Sequence, residues 1–491
     1  MDNPNGQKPE ETLDPQDWES MRALSHQMVD DIFEYLETVR ERPTWQPMPE
    51  DVRAKFKSPV PIEPEGAEAA YQDFTRDVLP YPMGNFHPRF WGWVIGSGTP
   101  MGMMAEMLAA ALNPNTGGGD HSGNRVEEQV IDWLKEMLGY PMEASGLLLS
   151  GSSMANLICL TVARNTQAEV NVRKVGLGAA PRMIVYGSRE IHSSIQRAVE
   201  VLGIGSDNLR LIPVNADFQM DLGALEAAIA QDKAAGLQPM AVIGSAGTVN
   251  TGAFDDLNAL ADICEREGIW LHVDGAFGAM AALSPESRHL TAGMERADSL
   301  GFDLHKWLYV PYEAACALVR NRDAHYNAFT LTPAYLAHTA RGAGAGSSWF
   351  SDFGVELSRG FKALKVWMSI KENGTEKYGR MVQQNIEQAT YLAGLVDAAP
   401  ELERLAPVPL NIVCFRYRAD GMDDAALNAL NEELLIRLHE SGVAVPTYTR
   451  INGKYAIRTA ISNHRSRRED FDMLVEAVVK IGHELVGERV G

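Results

Sequence analysis

Cysteine is scarce. The 491 residues contain four, Cys159, Cys264, Cys316 and Cys414, and they lie far apart. No pair has the spacing of metal ligands or of a redox motif, so neither a cysteine-based metal centre nor a disulfide framework is expected. A reducing, cytoplasmic setting fits this usage. Long apolar runs are missing too. None reaches the roughly 18 residues that a membrane span needs. The polar opening Met1-Asp2-Asn3-Pro4-Asn5 leads into acidic residues, unlike a signal peptide. Positive charge is also short: 44 Lys and Arg face 65 Asp and Glu, a net charge of -21. Nucleic acid and anionic membrane surfaces would be repelled by such a chain. Internal repeats and long low-complexity segments are absent.

What is present is the composition of a globular enzyme, 45% hydrophobic and 22% charged. The length calls for two or three packed units. From Asp17 to about Arg40 apolar residues recur at helical spacing, among them Leu24, Met28, Ile32 and Leu36. A Pro-rich stretch, 43–64, reads as extended chain, and 65–78 reads as a second helix. This arm, 1–95, has little core of its own and is expected to lie across another subunit. Between about 96 and 370 short apolar strands alternate with amphipathic helices. Strands are expected at 147–150, 183–186, 209–213, 241–244, 270–274, 299–302 and 315–319. Helices are expected at 155–164, 194–202, 222–231 and 257–267. That alternation predicts an α/β unit with a mostly parallel, doubly wound sheet, whose ligand sits beyond the carboxyl ends of the strands. After a long helical stretch, 364–399, strands at 410–416 and 454–458 and helices at 424–441 and 468–485 predict a small C-terminal α+β domain, 371–491.

The residues that carry chemistry fall at those strand ends. His272-Val273-Asp274-Gly275-Ala276 closes one strand, and His305-Lys306-Trp307 follows the next. A buried acid, a small residue two positions on and a lysine preceded by histidine are the parts needed to hold pyridoxal 5'-phosphate. Asp274 would keep the pyridine nitrogen protonated, Ala276 would let the ring lie flat, and Lys306 would form the Schiff base. Taken singly, Asp274 also reads as a strand-end cap and Lys306 as a solvated loop residue. Ser150-Gly151-Ser152-Ser153-Met154-Ala155-Asn156 follows a strand and opens a helix, where a phosphate or a plain serine cap would sit. His192 could stack on the cofactor face away from the lysine, and a hydroxyl of Ser245-Ala246-Gly247-Thr248 could reach its phenolic oxygen. The small-residue stretch from Leu331 to Phe350, with Tyr335, predicts a mobile lid that delivers a proton donor on closing. The aromatic run Phe86-His87-Pro88-Arg89-Phe90-Trp91-Gly92-Trp93 suits either a flat apolar pocket or a dimer-interface core.

Together these residues resemble the group II pyridoxal-phosphate decarboxylases, closest to the aromatic-L-amino-acid decarboxylases. Thr332-Pro333-Ala334-Tyr335-Leu336, Phe361-Lys362-Ala363-Leu364-Lys365-Val366-Trp367 and Arg458-Thr459-Ala460-Ile461-Ser462-Asn463 extend the resemblance over about 17–481. It implies a fold-type-I homodimer with the active site at the subunit interface. It implies Lys306 as the Schiff-base lysine, Asp274 at the pyridine nitrogen, and Ala276 and His192 on the two ring faces. Ser152 and Ser153 match phosphate-loop positions. Asp303 and His305 match positions bordering the phosphate and the lysine, and Tyr335 matches the tyrosine that protonates the substrate α-carbon. Asp303-Leu304 replaces the usual Asn-Pro. Trp93, Val94, Ile95 and Gly96 fall where animal aromatic enzymes carry other pocket residues, so Trp93 and Gly96 are taken as pocket positions. Ser358 falls where plant relatives that prefer tyrosine tend to have serine. The implied reaction is decarboxylation of an aromatic amino acid to its amine. Two alternatives stay open within the family: decarboxylation of an acidic amino acid, with Arg89 or Arg359 facing the side-chain carboxylate, and aldehyde synthesis. An inactive homologue and an aminotransferase fit the residues less well.

Overall fold

The computed structural model describes residues 11–331, 341–346 and 349–490. The arm opens with α1 (Trp18–Glu37), capped by Asp17, whose carboxylate accepts the amides of Glu19 and Ser20. The Pro-rich stretch is not wholly extended, because it contains α2 (Glu50–Lys55). Pro49 precedes it, acids occupy its first turn and bases its last, which complements the helix dipole. The next helix is shorter than the sequence predicts: α3 (Ala67–Asp73) passes into a π-turn over Phe74–Val78. Then come α4 (Pro100–Leu112), capped by Thr99 with proline at its first position, and α5 (Ser122–Leu138), ended by Gly139 at φ 67°.

The large sheet follows. Its chain order is β1 (Ser145–Leu149), α6 (Ser152–Gln167), α7 (Val172–Val175), β2 (Met183–Ser188), α8 (Ser193–Val201), β3 (Leu209–Ile212), α9 (Leu222–Ala234), β4 (Gln238–Ser245), α10 (Leu257–Glu267), β5 (Trp270–Asp274), β6 (Ser299–Asp303), β7 (Ala315–Val319) and α11 (Arg322–Phe329). In space the order is β1-β7-β6-β5-β4-β2-β3. Only β7 runs antiparallel to its neighbours; the other pairings are parallel. Strands of such a sheet are apolar on both faces because both are covered. Alternate residues feed two cores: Leu148, Leu271 and Val273 enter one, while Leu147, Leu149 and Trp270 meet α6 in the other. The parallel strands end along one edge, which brings Ser245, Asp274 and Asp303 together as last residues of β4, β5 and β6.

The chain then runs through α12 (Ala363–Ala398), which is two helices joined at Gly374 (φ 69°, ψ 158°). The small sheet has four antiparallel strands where the sequence predicts two: β8 (Leu402–Arg404), β9 (Ile412–Tyr417), β10 (Thr447–Ile451) and β11 (Lys454–Ala460), in the order β10-β11-β9-β8. Helices α13 (Asp424–Glu440) and α14 (Arg468–Val490) accompany it. β8 is too short and β10 too polar to stand out as apolar runs. The aromatic run of the arm divides. Phe90 and Trp91 are buried, and Trp91 belongs to the core of this small unit, stacked on Phe471 with centroids 4.8 Å apart. Its indole donates to Ser466 Oγ.

Neither arginine considered for an acidic side chain is free for one. Arg89 donates to the Val443 carbonyl and lies 3.7 Å from Asp470. Arg359 is buried against Glu127, and its Nη groups also donate to the carbonyls of Thr116 and Leu148. Removing one member of such a buried pair strands the other charge. Arg359→Met should therefore lower unfolding stability by about 3–5 kcal/mol, with much of that recovered when Glu127→Gln is added. Urea unfolding of the single and double variants measures this; a single variant within about 1 kcal/mol of the parent would show that the pair is dispensable.

Candidate active site

The sequence Ser-Gly-Ser-Ser after β1 turns the chain into α6, which starts at Ser152. The Ser152 amide donates to Asp303 Oδ1 at 2.6 Å. The other Asp303 oxygen takes Lys306 Nζ at 2.7 Å. Burial resists ionisation of Asp303, yet the charge of Lys306, backed by His305, holds its carboxyl below the usual range. His305 Nδ1 accepts the Ala314 amide, and its ring lies against that of Tyr312, centroids 4.1 Å apart and tilted by 31°. Burial pushes the His305 imidazole down to about 4, against the pull of Asp303, so it is neutral at pH 7.

Asp274 ends β5 almost fully buried. One oxygen accepts the Ala276 amide and the other accepts Asn156 Nδ2, both at 3.1 Å. His192 caps α8: its Nδ1 accepts the Ser194 amide at 3.2 Å and lies 2.8 Å from Ser194 Oγ. Burial lowers its proton affinity, partly offset by Asp274. Ser245 ends β4, and its amide donates to the buried Asp255.

His192, Ser245, Asp274, Ala276 and Lys306 share one cavity of about 340 Å³, which Trp93 and Arg458 also line. A larger cavity, about 950 Å³, lies between α5 and α12 and contains none of the residues singled out in the sequence. Asp274 and Lys306 therefore face the same space. The structure does not bring every expected residue there. Gly96 backs the lysine loop instead of lining the cavity: a Cβ on it would lie 2.1 Å from the His305 carbonyl oxygen, which is why the position is glycine. Ser358 is exposed and borders no part of the cavity within one chain. Ser153 is exposed, whereas Ser152 is buried. Tyr335 and most of the expected lid lie outside the described residues.

Two groups went unread in the sequence. Arg458 donates to the carbonyls of Trp93, Val249 and Asn250, and burial pushes its guanidinium down to about 10. Asn156, inside α6, reaches Asp274; a polar residue in an apolar helix was the available signal.

The residues fit pyridoxal phosphate. Ser152 Oγ is buried without a hydrogen-bond partner at the N-terminus of a 16-residue helix, where a phosphate would satisfy it. An acid and a lysine face one cavity beside the small Ala276. No group of three or more His, Cys, Asp or Glu able to hold a metal occurs among the described residues.

Comparison with known proteins agrees. The pyridoxal-dependent decarboxylase conserved domain matches residues 49–418. An aromatic-L-amino-acid decarboxylase of Bacillus atrophaeus is 32% identical over 95% of this chain and 96% of its own. One from Sus scrofa is 30% identical over 96% and 98%. The Oryza sativa TDC structure with PLP and tryptamine superposes with a TM-score of 0.89 at 26% identity, covering 96% of this chain and all of that one. The match spans well over half of the sequence, and the chain belongs to the pyridoxal-dependent decarboxylase family.

Proposed function

We propose that this carboxy-lyase removes the α-carboxyl group of an aromatic L-amino acid as carbon dioxide and releases the amine. Bound pyridoxal phosphate supplies an electron-accepting ring for the pair left on the α-carbon. Asp274 would keep a proton on the ring nitrogen, and Lys306 would anchor the cofactor. Ala276 and His192 would border its ring. The hydroxyls of Ser152 and Ser153, with the Ser153 amide, would hold the phosphate, and Ser245 would hold the phenolic side. Asp303 and His305 orient Lys306. Tyr335 supplies the proton that ends on the α-carbon.

The shared cavity of Asp274 and Lys306 carries this reading. Its lining supports an aromatic substrate. Trp93 and Phe277 border it, and at least three of the five Arg458 N–H groups are spent on carbonyls. Relatives include a tryptophan decarboxylase from Camptotheca acuminata and a tyrosine decarboxylase from Narcissus pseudonarcissus. The Arg458 charge in that lining is what favours the second reading, an acidic substrate. Incubating the holoenzyme with tryptophan, tyrosine, phenylalanine, dihydroxyphenylalanine, glutamate, aspartate and cysteine sulfinate separates the two by mass spectrometry of the amines. Aromatic amines are expected; amines from the acidic substrates alone would overturn the assignment.

A phenylacetaldehyde synthase from Petunia hybrida, 30% identical, is also among the relatives. Tyr335 and His192 favour amine formation here. Tyr335→Phe should divert product toward aldehyde, ammonia and peroxide, at the expense of dioxygen and water. A coupled peroxide assay reads this, and amine alone from the variant would sink the proposed role.

The working form is proposed to be a cytoplasmic homodimer. Met107, Leu108 and Leu112 are exposed along α4, and Leu357 is exposed beside Ser358. Ser358 would reach a substrate only across the subunit boundary. All four cysteines are buried and free, which suits a reducing compartment. No helix among the described residues is long and apolar enough to cross a membrane. Light scattering should give twice the mass of one chain, and Leu108→Glu with Leu112→Glu should halve it; an unchanged mass would place the interface elsewhere.

A further inference from the structure

Side chains alternate along a strand, so β5 turns Trp270, His272 and Asp274 toward α6 while Leu271 and Val273 enter the opposite core. The polar groups on that face are joined end to end. The Trp270 indole donates to Ser299 Oγ at 2.8 Å. Ser299 Oγ lies 2.9 Å from His272 Nδ1, and His272 Nε2 lies 2.9 Å from Asn156 Oδ1. Asn156 Nδ2 donates to Asp274 Oδ2 at 3.1 Å. Ser299, His272 and Asn156 have no exposed surface.

The two ends fix the direction of every link. An indole N–H can only donate and a carboxylate can only accept. The Asn156 carboxamide must therefore turn its nitrogen to Asp274 and its oxygen to His272. Burial pushes the His272 imidazole down to about 4, so it is neutral and has one donor and one acceptor. Its proton is on Nε2, and Nδ1 accepts the Ser299 hydroxyl. The second Asn156 N–H donates to Ser194 Oγ at 3.1 Å, and that hydroxyl turns to His192 Nδ1. One carboxamide thus holds both the acid and the imidazole that face the cavity. Space for it is left by Gly301 on β6, where a Cβ would lie 2.8 Å from Asn156 Oδ1.

We propose that Asn156 is a positioning residue, the branch point of a one-way hydrogen-bond chain from Trp270 that aims Asp274 and turns the Ser194 hydroxyl toward His192. The proposal rests on the cofactor reading given above. Aligned hydrogen bonds polarise one another, and partners that orient a functional group typically contribute 10- to 100-fold to affinity or activity.

The test uses the full chain with Asn156→Leu, which keeps the volume and removes both donors, and Ser299→Ala, which breaks the chain two links from Asp274. Asn156→Leu should weaken cofactor affinity, measured by equilibrium dialysis, by about tenfold or more. It should lower kcat by about 10- to 100-fold and leave KM nearly unchanged. Nitrogen NMR of the cofactor-free protein gives a readout that packing alone would not move. The parent should show His272 and His192 each as the Nε2–H tautomer. Asn156→Leu should let the Nδ1–H form of His272 appear, now donating to Ser299. Ser299→Ala should shift the His272 equilibrium without touching Ser194. An Nδ1–H tautomer of His272 in the parent overturns the chain, and so does cofactor affinity within twofold of the parent in a folded Asn156→Leu. If Asn156→Leu does not fold, the parent tautomers and Ser299→Ala decide. A parent chain that takes up no cofactor, yet shows the stated tautomers, would refute the proposed function and leave the hydrogen-bond chain standing.

Discussion

Lys306 belongs to a loop after β6, and loops alone do not fix an amine to a fraction of an ångström. The fixing comes from the buried carboxylate of Asp303, which grips Lys306 Nζ with one oxygen and the Ser152 amide with the other. The same residue terminates β6, so its backbone is held by the sheet. Strand, lysine loop and helix N-terminus are thereby locked at one point. Leaving Asp303 without the lysine would strand a buried negative charge, which is why the pair is stable only as a pair.

Much of this was legible in the residues and some was not. The large sheet could be read because its strands are short apolar runs, buried on both faces, between amphipathic helices. Asp274 and Lys306 could be read because an acid and a lysine at the ends of adjacent apolar strands are rare company. β10 escaped because Thr447-Tyr448-Thr449-Arg450-Ile451 is an edge strand with polar outer positions. Gly374 carries no local sign that a helix ends and another starts there, since single glycines also occur inside helices. Asn156 gains its meaning only from His272 and Asp274, far along the chain, and no local pattern records such a pairing. Gly96 and Ser358 show the converse: matching a family position did not place either side chain in the cavity of its own chain.

Family membership and geometry bear on different parts of the reading. The family match covers the reaction and the cofactor. Trp93, Phe277 and Arg458 line the cavity from three sections of chain, the arm, the segment after β5 and the small sheet. The proposed substrate specificity therefore depends on where those sections meet.

Trp91 has a consequence for how the molecule is made. It fills the core beside Phe471 and donates to Ser466, and its carbonyl accepts the backbone amide of Ala460 on β11 as well. A growing chain must keep this indole waiting for 375 further residues, until the segment that carries Ser466 has emerged. Closure over so long a loop is slow. During that wait the aromatic arm is open to other partners, which exposes the protein to aggregation until the two segments meet.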